Sequence, residues 1–498
     1  MKRIHEPFDA WRARRPQAVF IHAREREFSF AALGALVDAA ERELRDDAVR
    51  PGDRVLIVAE NCAEQIALIL ACSRVGAWSC GVNARLTAAE VAAFAAKADP
   101  RIVYFASAVS DDALRHAERH QARPSALAGL TRSAVRQDAL AESADADRVA
   151  AVIFTSGTTG APKGVPLTHA GLLHFGRVSA QSRALAGADR SYAYLPMTHI
   201  FGLGTVLMAS LHAGASLVLR HRFAPDDVLD ALAAHGVSQL QGPPTLFARL
   251  VARLDALGVD RPPCPHLRYL YAGAAALDRA LKTQVEARFG RVLHHGYGLS
   301  EYAGSVHVSR LNERRDDTSA GYLLEGAELR IVDAAGRDLP PGARGEIWLR
   351  GVGLMPGYFR DPQASREAMR PGGWYASGDL GERAPDGALF VVGRLKEMIV
   401  RSGFNVYPAE VEAVLNEWPA IHLSAVLGRR EADGNEQVLA YVELRPGRPL
   451  DRAALDAFLR ERLAPYKRPA RVSVVERLPM TPSGKILKRE LMPAERST

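Results

Sequence analysis

Through roughly the first 300 residues, short apolar runs alternate with Ala/Leu-rich stretches of helical periodicity. Arg54-Val55-Leu56-Ile57-Val58-Ala59 predicts a strand, and the residues around 63–75 predict a helix. Ser216-Leu217-Val218-Leu219 and 225–235 repeat the pair. An unbroken apolar run bounded by turns suits a strand covered on both faces, and its alternation with helices predicts a doubly wound α/β architecture. From about 320 to 395 the pattern changes. Leu329-Arg330-Ile331-Val332, Gly345-Glu346-Ile347-Trp348-Leu349 and Leu389-Phe390-Val391-Val392 are separated by Gly, Pro and Asp, which predicts a β-rich subdomain. Beyond about 397 the pattern is mixed α+β, with a helix near 408–416 and strands near 437–444 and 471–476. Residues 105–150 are Ala/Arg/Asp-rich and weakly patterned. No internal repeat or low-complexity segment interrupts the chain.

Length and composition narrow the class. A chain of 498 residues is too long for one ordinary core and fits about two to four modules. Its 48% hydrophobic and 24% charged residues describe a soluble globular protein. No apolar run reaches the roughly 18 residues of a membrane span, and the start, Met1-Lys2-Arg3-Ile4-His5-Glu6, leads into no apolar signal core, so no secretion is expected. Cys62, Cys72, Cys80 and Cys264 lack metal-site or redox-pair spacing and read as reduced residues of a cytoplasmic protein. The net charge of +7 is spread along the chain. It suits attraction for anionic substrates and argues against nucleic-acid binding.

The basic residues are unevenly chosen. Of 64 Lys+Arg only eight are lysine: Lys2, Lys97, Lys163, Lys282, Lys396, Lys467, Lys485 and Lys488. A lysine kept against that bias marks a place for a compact, flexible point charge that a planar guanidinium cannot replace. Lys163, Lys396 and Lys485 fall in motif-like segments. Lys2, Lys97 and Lys282 read as solvated leftovers.

One segment concentrates the chemistry. Thr155-Ser156-Gly157-Thr158-Thr159-Gly160-Ala161-Pro162-Lys163-Gly164 lies between an apolar run at 150–154 and a helix-like run starting near Thr168. Glycines leave backbone N–H groups uncovered, the hydroxyls add donors, and Lys163 adds charge, so the loop suits a polyanion such as nucleotide phosphates. It is no Walker loop, because Lys163 lies between Pro162 and Gly164; Gly484-Lys485 is followed by Ile486 and lacks the metal-binding hydroxyl. Gly202-Leu203-Gly204 and Gly351-Val352-Gly353 lack the third glycine of a dinucleotide fingerprint.

The loop resembles instead the phosphate-binding signature of the adenylate-forming superfamily, which holds acyl-CoA synthetases, peptide-synthetase adenylation domains and luciferases. Four further segments match in family order, the acyl-CoA ligase branch most closely. The resemblance assigns Thr155 and Lys163 to catalysis, and Ser156, Gly157, Thr158, Thr159 and Gly160 to the nucleotide. Tyr297-Gly298-Leu299-Ser300-Glu301, after His294-His295-Gly296, matches Tyr-Gly-x-Thr-Glu. Tyr297 would lie against adenine with Gly296 and Gly298 beside it, Ser300 would replace threonine near the phosphate, and Glu301 would hold Mg²⁺. Asp379, in Tyr375-Ala376-Ser377-Gly378-Asp379-Leu380, would grip the ribose, although a tight turn is the plainer reading of Gly-Asp. In Gly393-Arg394-Leu395-Lys396, Arg394 would contact ribose or phosphate and Lys396 would be the pivot; Gly403 would let the pantetheine arm of coenzyme A pass. Lys485, in Pro479-Met480-Thr481-Pro482-Ser483-Gly484-Lys485-Ile486, would orient the carboxylate against the α-phosphate, and His199 would gate the route from acyl pocket to thiol tunnel.

The resemblance implies a large AMP-binding domain over 1–393 with its β-rich part at 320–393, a hinge at 394–396, and a small mobile α+β domain over 397–498. It implies ATP, Mg²⁺ and coenzyme A as cofactors and a small carboxylic acid as substrate, with an acyl carrier protein as an alternative acceptor and a silent adenylate-binding protein as the remaining alternative. The candidate acyl-pocket stretches 199–204, 241–246 and 271–276, the last with Gly273, Ala274 and Ala275 beside the nucleotide, contain no Asp, Glu, Lys or Arg. An uncharged pocket leads us to expect a medium- or long-chain fatty acid, with aryl acids as the alternative.

Overall fold

The structure is a computed structural model and describes residues 2–143, 145–156, 162–401, 404–431 and 435–491. Two large sheets carry the N-terminal part. In the first, Leu293–Leu299, Tyr269–Ala272, Gln239–Gly242, Arg190–Ala193, Ser216–Leu219 and Val19–His22 lie side by side and pair in parallel. In the second, Ile102–Phe105, Arg54–Ala59, Trp78–Asn83 and Val149–Ser156 are parallel, and Pro162–Thr168 closes one edge antiparallel to Val149–Ser156. The apolar runs lie in these strands because both faces are covered: every residue of Arg54–Ala59 is buried. Helix Ala63–Val75 begins where the Cys62 side chain accepts from the backbone N–H of Gln65, and ends at Gly76 in the left-handed region (φ 82°).

The weak patterning of 105–150 has a physical cause. This stretch buries only scattered apolar residues, such as Ala113, Ala117, Leu127 and Leu130, and is also sewn down by polar bonds. The fully buried Arg54 guanidinium donates to the Leu140 carbonyl at 2.6 Å and to the Ala98 carbonyl at 2.9 Å. Ser125 donates to buried Glu43 at 2.6 Å, and Arg101 donates to the Arg136 carbonyl at 2.9 Å. Helix Asp111–Arg119 and two short strands, Arg123–Pro124 and Thr131–Arg132, form there.

The β-rich part is an antiparallel array of Ala327–Val332, Arg344–Gly351, Trp374–Arg383 and Leu389–Arg394. Asp379 therefore sits inside a ten-residue strand rather than in a tight turn. Lys282, read as solvated, is instead buried, donating to Glu286 at 2.7 Å and to the Arg315 carbonyl at 2.6 Å. The C-terminal part has its own core. Helices Pro408–Asn416 and Arg452–Arg462 pack Val411, Leu415, Leu455 and Leu459 against Val426, Val438 and Ala440 of the sheet Ile421–Arg430, Glu436–Leu444, Arg471–Val475. Leu423, Ala425 and Leu478 are buried with the core of the N-terminal part instead, and Leu423 lies beside Ala248 and Leu281. Among the described residues no helix is long and apolar enough to cross a membrane.

Three buried histidines couple this packing to pH. Burial pushes the pKa of His169 and His294 down to about 4 and that of His307 to about 3, against an ordinary value near 6.5. A depressed histidine pKa means the unfolded chain binds the proton first. The stability from keeping the rings neutral is complete above about pH 6.5 and is lost as pH falls toward 4, on the order of 3 kcal/mol for each ring. Unfolding midpoints in urea should therefore drop steeply between pH 6.5 and 4. The slope should shrink in His294→Gln, and a midpoint flat across that window would show that these rings do not titrate with folding.

Candidate active site

The site lies where the two large sheets, the β-rich array and the C-terminal part converge. The strands Val149–Ser156 and Pro162–Thr168 form a hairpin in which Thr155 faces Lys163 and Ser156 faces Pro162. Gly157, Thr158, Thr159 and Gly160 lie outside the described residues, as does Gly403. The hairpin brings Lys163 to a definite place. The Phe359 N–H donates to the Gly164 carbonyl at 2.8 Å, which holds the adjacent Tyr358 ring 4.6 Å under the Lys163 ammonium. The Tyr358 hydroxyl lies 3.0 Å from Glu301 Oε1 and 3.0 Å from the Tyr375 hydroxyl. Nothing in the sequence singled out Tyr358, and Tyr375 stood only at the head of the segment that carries Asp379.

Glu301 belongs to the single 3₁₀ turn Ser300–Tyr302 that ends the strand Leu293–Leu299. Burial raises its pKa, only partly offset by hydrogen bonding. A carboxylate so placed gains from a cation. Among the described residues no group of three or more metal-ligating side chains gathers anywhere. A single carboxylate fits Mg²⁺, whose remaining ligands are phosphate oxygens and water.

Asp379 organises the second half of the site. Its carboxylate accepts from the Tyr297 hydroxyl at 2.7 Å and pairs with Arg394 Nε at 3.0 Å, and strand pairing sets Asp379 and Arg394 opposite each other. Gly296 permits this crowding. A Cβ there would fall 2.4 Å from the Tyr271 hydroxyl and 2.6 Å from the His307 carbonyl. Gly298 is equally close to the backbone of Gly304 and Ser305. Gly273 lies against the Tyr271 ring, Ala274 is held at φ 66°, and Ala275 gives its carbonyl to the ring of His295 at 3.4 Å. Left-handed backbone at a non-glycine residue stores strain of the kind found at ligand-facing turns.

His199 precedes a π-helical segment, Phe201–Met208, that no sequence signal announced. The Phe201 N–H donates to its Nδ1 at 3.2 Å, so the neutral ring carries its proton on Nε2. Burial, then the nearby charge of Lys485, pushes the His199 pKa down to about 4. Phe201 meets Tyr271 edge-on, ring centroids 5.9 Å apart and planes at 86°.

Lys485 arrives from the C-terminal part on a tight loop. The Lys485 carbonyl accepts from the Thr481 N–H at 2.7 Å, and the Thr481 carbonyl accepts from the Gly484 N–H at 2.9 Å. Gly484 has φ 87°, and a Cβ there would sit 2.8 Å from Pro243. The loop docks through three contacts: Thr245 Oγ1 donates to the Gly484 carbonyl at 2.7 Å, Arg85 to the Pro482 carbonyl at 3.1 Å, and Arg249 to the Met480 sulfur at 3.3 Å. Desolvation and then the Arg394 charge lower the Lys485 pKa, with Glu397 and Asp379 acting against them. Lys396 lies in the 3₁₀ turn Leu395–Glu397 that joins the two parts, and Lys488 braces that turn from between Glu397 (3.4 Å) and Glu412 (2.8 Å). The structure thus gathers Lys163, Glu301, Tyr297, Asp379, Arg394, His199 and Lys485 around one space.

Residues 8–359 match the family model of the AMP-binding enzyme, and residues 410–485 match that of the AMP-binding enzyme C-terminal domain. The chain is 33% identical over 496 residues to a feruloyl-CoA synthase of an Amycolatopsis species, covering 97% of this chain and 98% of that one. It is 32% identical over 495 residues to an indoleacetate–CoA ligase of Aromatoleum aromaticum, with 96% and 95% covered. The O-succinylbenzoate coenzyme A synthetase of Bacillus subtilis, solved with ATP and magnesium ion, superimposes with a TM-score of 0.82 at 27% identity, covering 97% of this chain and 98% of that one.

The docking contacts carry a direct test. Thr245→Val removes the hydrogen bond to the Gly484 carbonyl at nearly constant volume and should weaken docking by about 1 kcal/mol. Amide exchange at 480–487 should then speed up about fivefold, while exchange in helix Pro408–Asn416 stays as it was. Unchanged exchange at 480–487 would mean that the loop is held by other contacts.

Proposed function

The chain belongs to the AMP-binding enzyme family, and on that premise we propose that the acid it activates is an aryl carboxylic acid. The enzyme is an AMP-forming acid–thiol ligase, which uses ATP, Mg²⁺ and coenzyme A and joins a carboxylic acid to CoA through an acyl-adenylate. The observation that carries the aryl reading is the edge-on pair Phe201 and Tyr271 beside His199 and Gly273. Aromatic walls at right angles suit a flat ring, to which they offer both face and edge. The relatives named for feruloyl-CoA and indoleacetate favour the same side. The expectation of a fatty acid rested on the lack of charge in the pocket stretches. That property does not separate alkyl from aryl acids, whereas paired aromatic rings favour the aryl side.

In this reading the chain's residues divide the work. Lys163 and the hairpin hydroxyls neutralise charge on the phosphates while the acid's carboxylate attacks the α-phosphorus and pyrophosphate leaves. Mg²⁺, when bound at Glu301, neutralises further phosphate charge. Tyr297 and Asp379 take the nucleoside, and Arg394 spans ribose and phosphate. Lys485 orients the carboxylate against the α-phosphorus. His199, neutral and half-buried, stands between the acyl pocket and the thiol's path. Lys485 occupies space the thiol needs, so the C-terminal part, taken as 397–498, turns about 394–396 with Lys396 as pivot before CoA attacks the acyl-adenylate. An acyl carrier protein replacing CoA is the second reading of the acceptor, and a thioester assay with each acceptor separates the two.

Substrate choice and the lysine are tested separately. With ATP and CoA, kcat/KM for cinnamate- or benzoate-type acids should exceed that for octanoate or palmitate by at least about tenfold, the scale on which pocket shape discriminates. Equal or better use of the fatty acids would end the aryl reading. Lys485→Ala should slow adenylation by at least about 100-fold yet leave thioester formation from supplied acyl-adenylate. Because the Lys485 pKa is lowered and the charged form does the work, adenylation in the native enzyme should fall as pH rises through a value below the ordinary lysine range near 10.5. Lys485→Arg should move that alkaline limb upward. Equal loss of both half-reactions, or a limb that ignores the arginine, would remove Lys485 from this role.

A further inference from the structure

A charged group lies behind the pocket, outside the stretches whose lack of charge suggested a plain hydrocarbon acid. Arg183 follows helix His169–Ser182 and is 1% exposed. One nitrogen, Nη2, donates to the Thr205 carbonyl in the π-helical segment. Its Nε and Nη1 have no hydrogen-bond partner among the described residues. The guanidinium lines a cavity of about 10 Å³, room for about one water-sized group, together with Phe175, Thr205, Tyr269, Tyr271 and Ser305. The neighbouring acid, Asp189, is taken by Arg268 and by Ser238. Arg183 is therefore a buried cation without a carboxylate partner, facing a space lined by hydroxyls and rings. Such a group is costly unless something brings it an acceptor.

The cavity adjoins the reaction centre through one side chain. Tyr271 lines it, and the same ring packs against Phe201 next to His199 and closely approaches Gly273 and Gly296. Its hydroxyl lies 3.2 Å from Ser305 Oγ.

We propose that Arg183 is a specificity-determining residue that binds an oxygen acceptor on the end of the acid farthest from its reacting carboxylate. The inference rests on the acyl pocket of the proposed function, and it deepens that reading from an aryl acid to one carrying a distal phenolic oxygen or second carboxylate. The two unpaired N–H groups of a planar fork can hold either. A hydrocarbon end would leave both unpaired and the charge uncompensated.

The test compares kcat/KM for cinnamate, 4-hydroxycinnamate and 4-carboxycinnamate, and for octanoate and octanedioate, in the native enzyme and in Arg183→Met and Arg183→Lys. The native enzyme should prefer an oxygen-bearing acid over its bare parent by about 10- to 100-fold, the span of one charge-assisted hydrogen bond. Whether hydroxyl or carboxylate wins identifies the source of the oxygen. Arg183→Met should bring the ratio near one, and Arg183→Lys should retain part of it. The ratio does not depend on the fraction of folded enzyme, so partial loss of stability leaves the test intact, and the lysine variant keeps it open should the methionine variant fail to fold. A native ratio near one, or a ratio unchanged in both variants, overturns the proposal. Preference for octanedioate with all three cinnamates inert would remove the aryl reading and leave the role of Arg183 standing.

Discussion

The Asp379 carboxylate takes a hydrogen bond from Tyr297 and an ion pair from Arg394, and those two contacts fix where three segments meet. Tyr297 comes from the end of the parallel sheet, Asp379 from the middle of the antiparallel array, and Arg394 from the last residue before the turn into the C-terminal part. One acid therefore ties the strand end that carries Tyr297 to the turn that leads into the C-terminal part. Under the proposed function, a ligand hydroxyl that competes for Asp379 would compete with both neighbours at once.

The remaining charges follow a similar economy. Several of the lysines hold definite positions. Lys163 rests over Tyr358, Lys485 is carried to the site on a loop, and Lys488 braces the turn that holds Lys396. Each has a position that a branched, planar cation would disturb. The arginines instead do masonry, as Arg54 does for the segment 105–150.

Much of this was legible in the residue pattern, for reasons that also explain the failures. Strands covered on both faces read as unbroken apolar runs, so Arg54–Ala59 and Ser216–Leu219 were found at their bounds. The motif lysines stood out because arginine dominates the background. Residues 105–150 were opaque because side-chain-to-carbonyl bonds leave no periodicity. The π-helical turn at Phe201–Met208 has no signature in spacing. Tyr358 and Tyr375 belong to the site through a backbone bridge to Gly164 and a sheet pairing, neither visible in one dimension. Arg183 was missed because the pocket was read from three stretches, and the guanidinium lies off the end of a helix, lining a small cavity with Tyr271.

Leu423, Ala425 and Leu478 give this arrangement a thermodynamic bias. They sit in the C-terminal part but are covered by the core of the N-terminal part. The proposed turn about 394–396 would uncover them, while the independent core around Val411, Val438 and Leu459 would travel intact. Stripping three apolar side chains of cover costs a few kcal/mol, at about 25 cal/mol per Å², unless another surface receives them. Under the rotation proposed above, this contact would weight the resting enzyme toward the arrangement that places Lys485 in the site, and the hydrophobic seam would act as the bias of a ratchet.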